Sequence, residues 1–164
     1  MALEIRRLFP DDDALVMRVA DEVFDEPVRP DRLSAYLAEP CHFMVVALAD
    51  GIVVGQCAAV IHRHPDKVSE LYVDEVGVAP AFQRQGIATR MLGAMFALGR
   101  EHGCEEAWVG TEPDNVAARA LYESRKEPHG RRRGSSCMFI DYRRRRQRPL
   151  RYYPSRLCLP CLRR

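Results

Sequence analysis

No stretch of this chain approaches the roughly 18 consecutive apolar residues of a membrane span, so no membrane role is expected. The first residues, from Met1 to Asp13, lack the apolar centre of a secretory leader, and the expected compartment is the cytoplasm. There is no internal repeat, and the composition excludes collagen-like and low-complexity fibres. Cysteine lacks a pattern as well. Cys41, Cys57, Cys104 and Cys137 fall in apolar or strand-like segments, where a thiol packs as a small hydrophobe; in a cytoplasmic protein they are expected to be reduced. Cys158-Leu159-Pro160-Cys161 is a lone C-x-x-C without a second ligand pair, so no metal is expected there.

What the last part of the chain lacks is acid. Residues 129–164 hold 12 Arg and one acid, Asp141, whereas residues 1–128 hold 13 Lys and Arg against 22 Asp and Glu. A formal net charge of +2 conceals this split, which marks a tail with a separate job or origin. Two parts are expected: a domain over 1–142 and an Arg-rich tail over 143–164 outside the catalytic fold. The run Arg143-Arg144-Arg145-Arg146 carries too much like charge to pack against itself. Pro149, Pro154 and Pro160 interrupt any element that Tyr152, Tyr153, Leu157, Leu159 and Leu162 could build.

The rest is ordinary for a globular domain: 164 residues, 47% apolar and 29% charged. A chain of this length buries about two-thirds of its unfolded surface and needs no staples. Leu3 to Leu8 alternates in part, as a half-buried strand does. Pro10 and the acids Asp11-Asp12-Asp13 start a helix in which Leu15, Val16, Val19 and Val23 recur at helical spacing. A second helix is predicted over Asp31 to Ala38. Asp50-Gly51 between two β-rich runs, Phe43–Leu48 and Ile52–Ile61, predicts a hairpin. A strand over Ser69 to Val78 follows. Ala88, Met91, Leu92, Met95 and Phe96 then form one apolar helical face, which Gly103 ends. Strands are predicted at Glu106–Gly110 and Cys137–Ile140. Between them a helix capped by Asp114 or Asn115 runs through Tyr122. The order β-α-α-β-β-β-α-β-α-β is that of a mixed α/β sandwich, helices on a sheet.

The informative stretch is Val76-Gly77-Val78-Ala79-Pro80-Ala81-Phe82-Gln83-Arg84-Gln85-Gly86-Ile87-Ala88-Thr89, which runs strand, turn, glycine, helix. A helix start offers unpaired N–H groups and the positive end of a dipole, which together suit a phosphate. Gly86 removes a side chain where a phosphate must approach, and Arg84 can add a charged contact. Taken alone, the same residues also describe a plain strand-to-helix turn.

Q-x-x-G-x-A after a V-x-V-x-P strand end resembles the acyl-coenzyme A signature of the GNAT superfamily of N-acetyltransferases. Asn115-x-x-Ala118-x-x-Leu121-Tyr122 is a second similarity at the expected distance. The resemblance covers about residues 3 to 142. It implies a mixed, mostly antiparallel central sheet splayed after its fourth strand, with helices on both faces. It also implies acetyl-CoA as co-substrate, held by Val76, Val78, Gln83, Arg84, Gln85, Gly86, Ile87, Ala88, Thr89, Asn115 and Tyr122. Many relatives are dimers, so a homodimer is among the expectations. Glu75 just before the strand end and Glu112 ahead of the Asn115 helix resemble the aminoglycoside 3-N-acetyltransferase branch. The 22 residues beyond Tyr142 depart from the family pattern, which ends near there.

Acetyl transfer to an amine needs its lone pair free, and an aliphatic ammonium must lose a proton near neutral pH. Glu75 is the candidate base; strand alternation sets Asp74 on the opposite face. Tyr122 is the candidate acid for the departing thiolate, and a strand-end N–H such as that of Val76 can face the charge gathering on the thioester oxygen. Asp25, Glu26, Glu112 and Asp114 are candidate contacts for a polycationic amine, although acids on loops also serve solubility. The expected reaction is direct attack on acetyl-CoA by an aminoglycoside amine in a ternary complex, which would confer antibiotic resistance. The alternative acceptor is a polyamine, small metabolite or protein N-terminus. A nucleic-acid role for the Arg-rich tail is the weaker reading, since no RNA motif accompanies it.

Overall fold

The computed structural model describes residues 2–112 and 114–124, together with the backbone of 132–133 and 137–141. Its elements in chain order are strand β1 (Leu3–Arg7), a 3-10 helix (Pro10–Met17), helix α1 (Pro30–Ala38), β2 (His42–Ala49) and β3 (Ile52–His62). β4 (Ser69–Val78), a 3-10 turn (Pro80–Phe82), α2 (Ile87–Glu101), β5 (Cys104–Gly110), α3 (Val116–Glu123), β6 (Arg132–Arg133) and β7 (Cys137–Asp141) follow. The strands form one sheet in the order β1-β2-β3-β4-β5-β7-β6. Every pairing is antiparallel except β4 with β5, which α2 joins by a crossover.

The hairpin forms where Asp50-Gly51 predicts it. Asp50 has φ 49° and Gly51 φ 77°, both in the left-handed region that a tight hairpin turn demands. β2 is buried on both faces because the sheet divides two cores. Phe43, Val45 and Ala47 share one core with Met91, Leu92 and Met95 of α2 and Tyr122 of α3. Met44, Val46 and Leu48 share the other with Val16, Val23 and, from α1, Leu33 and Leu37.

The first predicted helix is shorter than its apolar spacing suggests. The 3-10 helix stops at Met17, and Val19 makes a parallel bridge to Val53. The backbone of Arg18 and Ala20 bonds Val53 instead of continuing a helix, and Glu22 turns at φ 60°. Val16 and Val23 are buried nonetheless, so the periodicity marked the core-facing residues but not their conformation. β6 has no counterpart in the sequence pattern. The tail 143–164 lies outside the described residues.

One feature positions the site. The parallel pairing of β4 with β5 runs from Ser69↔Cys104 to Val73↔Val109 and stops. β4 continues to Val78 bonded, among the described residues, to β3 alone, so its edge toward β5 opens into a cleft.

Candidate active site

Beyond Val78 the chain turns through Pro80–Phe82 into α2. The Gln83 amide donates to the Val78 carbonyl at 3.0 Å, tying the turn to the strand end. Arg84 at φ 60° and Gly86 at φ 75° take left-handed conformations in quick succession. A Cβ built on Gly86 would meet nothing within 4 Å, so φ favours glycine there, and open space lies in front of the helix start. The first bond inside α2 runs from the Arg90 N–H to the Gly86 carbonyl at 3.0 Å.

This helix start, the end of β4 and one face of α3 enclose a cavity of about 410 Å³, within the range of small-molecule clefts. Val76, Val78, Gln83, Arg84, Gly86, Ile87, Ala88, Thr89, Asn115 and Tyr122 line it. Gln85 does not; its side chain turns back to the Ala81 carbonyl at 3.4 Å. Phe82, Ala117, Ala118 and Leu121 complete the wall. Asn115 combines both readings of the sequence. Its side-chain oxygen accepts from the Ala118 N–H at 3.0 Å, capping α3, and it also borders the cavity. Tyr122 is buried at the base of α3. Burial first, then the neighbouring Cys57 and Tyr72, pushes its phenol up to about 12, so it keeps its proton across the neutral range.

Glu75 belongs to the opposite face of β4. Its partner on β3 is Ala58, which packs in the core under α1. Asp74 does not obey the alternation expected for it. The β3–β4 register slips between Ala58↔Glu75 and Ala59↔Val73, leaving Asp74 as the extra residue of a bulge. Its charge acts both on Glu75 and on the Tyr36 phenol of α1. The parity argument that separates Asp74 from Glu75 therefore fails at the bulge. Glu75 is held above the ordinary carboxylate range, chiefly by burial and then by Asp25 and Asp74. Of the four loop acids, Asp25 is thus brought to Glu75, while Glu26 is exposed beside it. Glu112 and Asp114 are exposed in the turn before α3, where their carbonyls accept from the Asn115 and Val116 N–H groups.

One polar residue near Glu75 is absent from the sequence-based candidates. Gln56 is fully buried, and its carboxamide favours the ionised Glu75. The available signal is its isolation: it is the one polar amide in the apolar run Ile52–Ile61.

A family model described as the acetyltransferase (GNAT) family matches residues 5–126. The chain belongs to the GNAT family. Aminoglycoside N(6')-acetyltransferase type 1 of Salmonella typhimurium is 27% identical over 84 residues, 48% of this chain and 57% of the relative. The chain thus spans just over half the length of that relative. L-2,4-diaminobutyric acid acetyltransferase of Methylotuvimicrobium alcaliphilum is 30% identical over 116 residues, 69% of this chain and 66% of the relative. Among solved structures, an aminoglycoside acetyltransferase from an uncultured soil metagenomic sample, in complex with sisomicin, superposes with a TM-score of 0.67 at 20% identity. That match covers 93% of this chain and 95% of the other. The PaiA N-acetyltransferase of Thermoplasma acidophilum, in complex with coenzyme A, gives 0.67 at 16% identity, over 87% and 100%. At these identities the structural likeness shows the fold alone. The Salmonella relative is by name a 6'-acetyltransferase, whereas Glu75 and Glu112 resemble the 3-N-acetyltransferase branch.

Proposed function

We propose that this GNAT chain transfers an acetyl group from acetyl-CoA to an amine of an aminoglycoside, by direct attack in a ternary complex. The observation that carries it is the cleft beside the unpaired end of β4, which leads into a left-handed Gly86 and the start of α2. That cleft suits a coenzyme. The open space in front of Gly86, the helix start and Arg84 fit its phosphates, and the apolar wall of Val76, Val78, Ala118 and Leu121 fits its arm. Acetyl-CoA supplies an acyl group activated as a thioester. The chain's own residues do the rest. Glu75 accepts the proton of the incoming ammonium, Tyr122 gives its proton to the departing sulfur, and Asn115 orders the first turn of α3 beside it. Asp25 is in a position to hold a further ammonium of a polycation. Asp25 and Asp74 also stabilise the charged form of any amine bound near them, so the base must stand at the reacting amine and the other acids elsewhere.

A second acceptor class has a specific observation behind it: the relative matched over most of its length acts, by name, on a small diamino acid. Incubating the full chain with acetyl-CoA and a panel of kanamycin, sisomicin, 2,4-diaminobutyrate and spermidine separates the two, with the acetylated nitrogen mapped by NMR. Turnover of the aminoglycosides supports the first reading and its antibiotic-resistance role. Turnover confined to 2,4-diaminobutyrate replaces it with the second. Among the described residues no helix is long and apolar enough to cross a membrane; with an intracellular co-substrate, we place the reaction in the cytoplasm.

A further inference from the structure

Gln56 sits in the middle of β3 with no exposed surface, and neither atom of its carboxamide has a hydrogen-bond partner among the described residues. An amide buried unpaired carries the desolvation of both its polar atoms, so a core position of this kind calls for a use. Its surroundings define one. Opposite it on β4 is Gly77. The missing side chain there lets the Val23 carbonyl close over the strand: a Cβ on Gly77 would collide with that oxygen and lie 3.6 Å from Gln56 Nε2. Two residues back along β4, on the same face, is Glu75, the diagonal cross-strand neighbour that a long side chain can reach. Glu75 is faced by Asp25 from the segment before α1 and by Asp74 from β4 itself, and Asp74 is in turn faced by Tyr36 of α1. Among the described residues that act on Glu75, Asp25 and Asp74 disfavour its carboxylate and Gln56 favours it.

We propose that Gln56 is a positioning residue: its carboxamide N–H, outside hydrogen-bond geometry in the chain alone, closes on the Glu75 carboxylate in the reacting complex, orienting the base and keeping it ionised against its acidic neighbours. This rests on Glu75 being the base, as proposed above. The donor is fixed in the sheet rather than on a loop, so it aims the carboxylate at one place on the open side of β4. Hydrogen bonds of this kind are often long outside the reacting complex and tighten within it.

Gln56→Met keeps the length and nearly the volume of the side chain while removing both polar atoms, and Gln56→Glu keeps the shape while adding a third acid. The Glu75 carboxyl is titrated by 13C NMR in the full-length wild type and in each variant. Gln56→Met is expected to move its midpoint up by about one pH unit and Gln56→Glu further. An unmoved midpoint in folded variants that still bind acetyl-CoA overturns the inference. Should Gln56→Met not fold, the isosteric Gln56→Glu decides in the same way. The rate of acetyl-CoA consumption, with kanamycin as the amine, separates this proposal from the one beneath it. Gln56→Met should lower kcat about tenfold at pH 6.5, less at pH 8.5, and not at all in a Glu75→Gln background. Additive losses would mean a structural role only. A Glu75→Gln variant with wild-type rate would remove the base assignment itself, and the positioning role with it.

Discussion

As the proposed base, Glu75 would accept a proton near neutral pH against the charges of two other carboxylates. Burial and the charges of Asp25 and Asp74 hold it above the usual carboxylate range, and a base whose pKa lies nearer the working pH transfers protons more effectively. Replacing it by glutamine should lower kcat by ~10²–10⁴-fold and leave acetyl-CoA affinity intact. A rate near wild type from pH 6 to 9 would take Glu75 out of the role. The same crowding opposes folding. A carboxyl whose folded pKa is raised contributes stability that is fully present below its unfolded value and lost as pH rises through the folded one. Glu75→Gln should therefore melt higher than wild type at pH 8, with the difference closing toward pH 4. Thermal melts by circular dichroism at the two pH values check the sign, and a variant that melts lower at pH 8 would contradict it.

Among the elements, two glycines near the site make opposite predictions. At Gly77 a Cβ meets the Val23 backbone, so Gly77→Ala must displace the segment before α1, at about 1–3 kcal/mol as overpacking generally costs. At Gly86 there is space and only the left-handed φ to satisfy, so Gly86→Asp should remain folded yet lose coenzyme affinity, because it sets a negative charge before the helix start. Calorimetric melting and acetyl-CoA titration separate the two; unchanged coenzyme affinity in Gly86→Asp would sink the phosphate reading. The difference also shows what was legible in the sequence. The turn around Gln83–Thr89 and the cap at Asn115 are local devices, specified by neighbouring residues, and ten of the eleven coenzyme candidates do line one cavity. The meeting of Gln56, Asp74, Asp25 and Glu75 is not local. Gln56 comes to Glu75 through the β3–β4 register, Asp25 comes from the segment before α1, and Asp74 enters as a bulge residue that no alternation within β4 reveals. The first helix ends early for a related reason: backbone bonds from Arg18 and Ala20 to Val53 override the helical spacing of Leu15, Val16, Val19 and Val23.

On the scale of the whole molecule, the charge split remains the widest feature. Residues 1–128 carry the acidic excess, and the 12 arginines of the last 36 residues oppose it. The family model matches residues 5–126, and the run Arg143-Arg144-Arg145-Arg146 carries too much like charge to pack against itself. We therefore propose that the Arg-rich tail has no part in catalysis. A chain cut after Tyr142 should keep its melting temperature within about 2 °C, as expected for a change under about 1 kcal/mol, and keep its rate of acetyl transfer. Loss of coenzyme affinity on truncation would put the tail inside the fold.

The end of the β4–β5 pairing at Val73 and Val109 has a consequence for the motion of single protons. Before that point β4 is bonded along both edges, whereas the amides from Asp74 to Val78 that face β5 have no strand to bond among the described residues. In the chain alone these few N–H groups should exchange with deuterated water many times faster than their neighbours, though they lie within a continuous strand. Adding coenzyme A should slow them selectively, while the amides bonded to β3 keep their rates. Exchange along β4 would then read as a ruler with its last divisions blank, filled in only when the ligand takes the place of the missing strand.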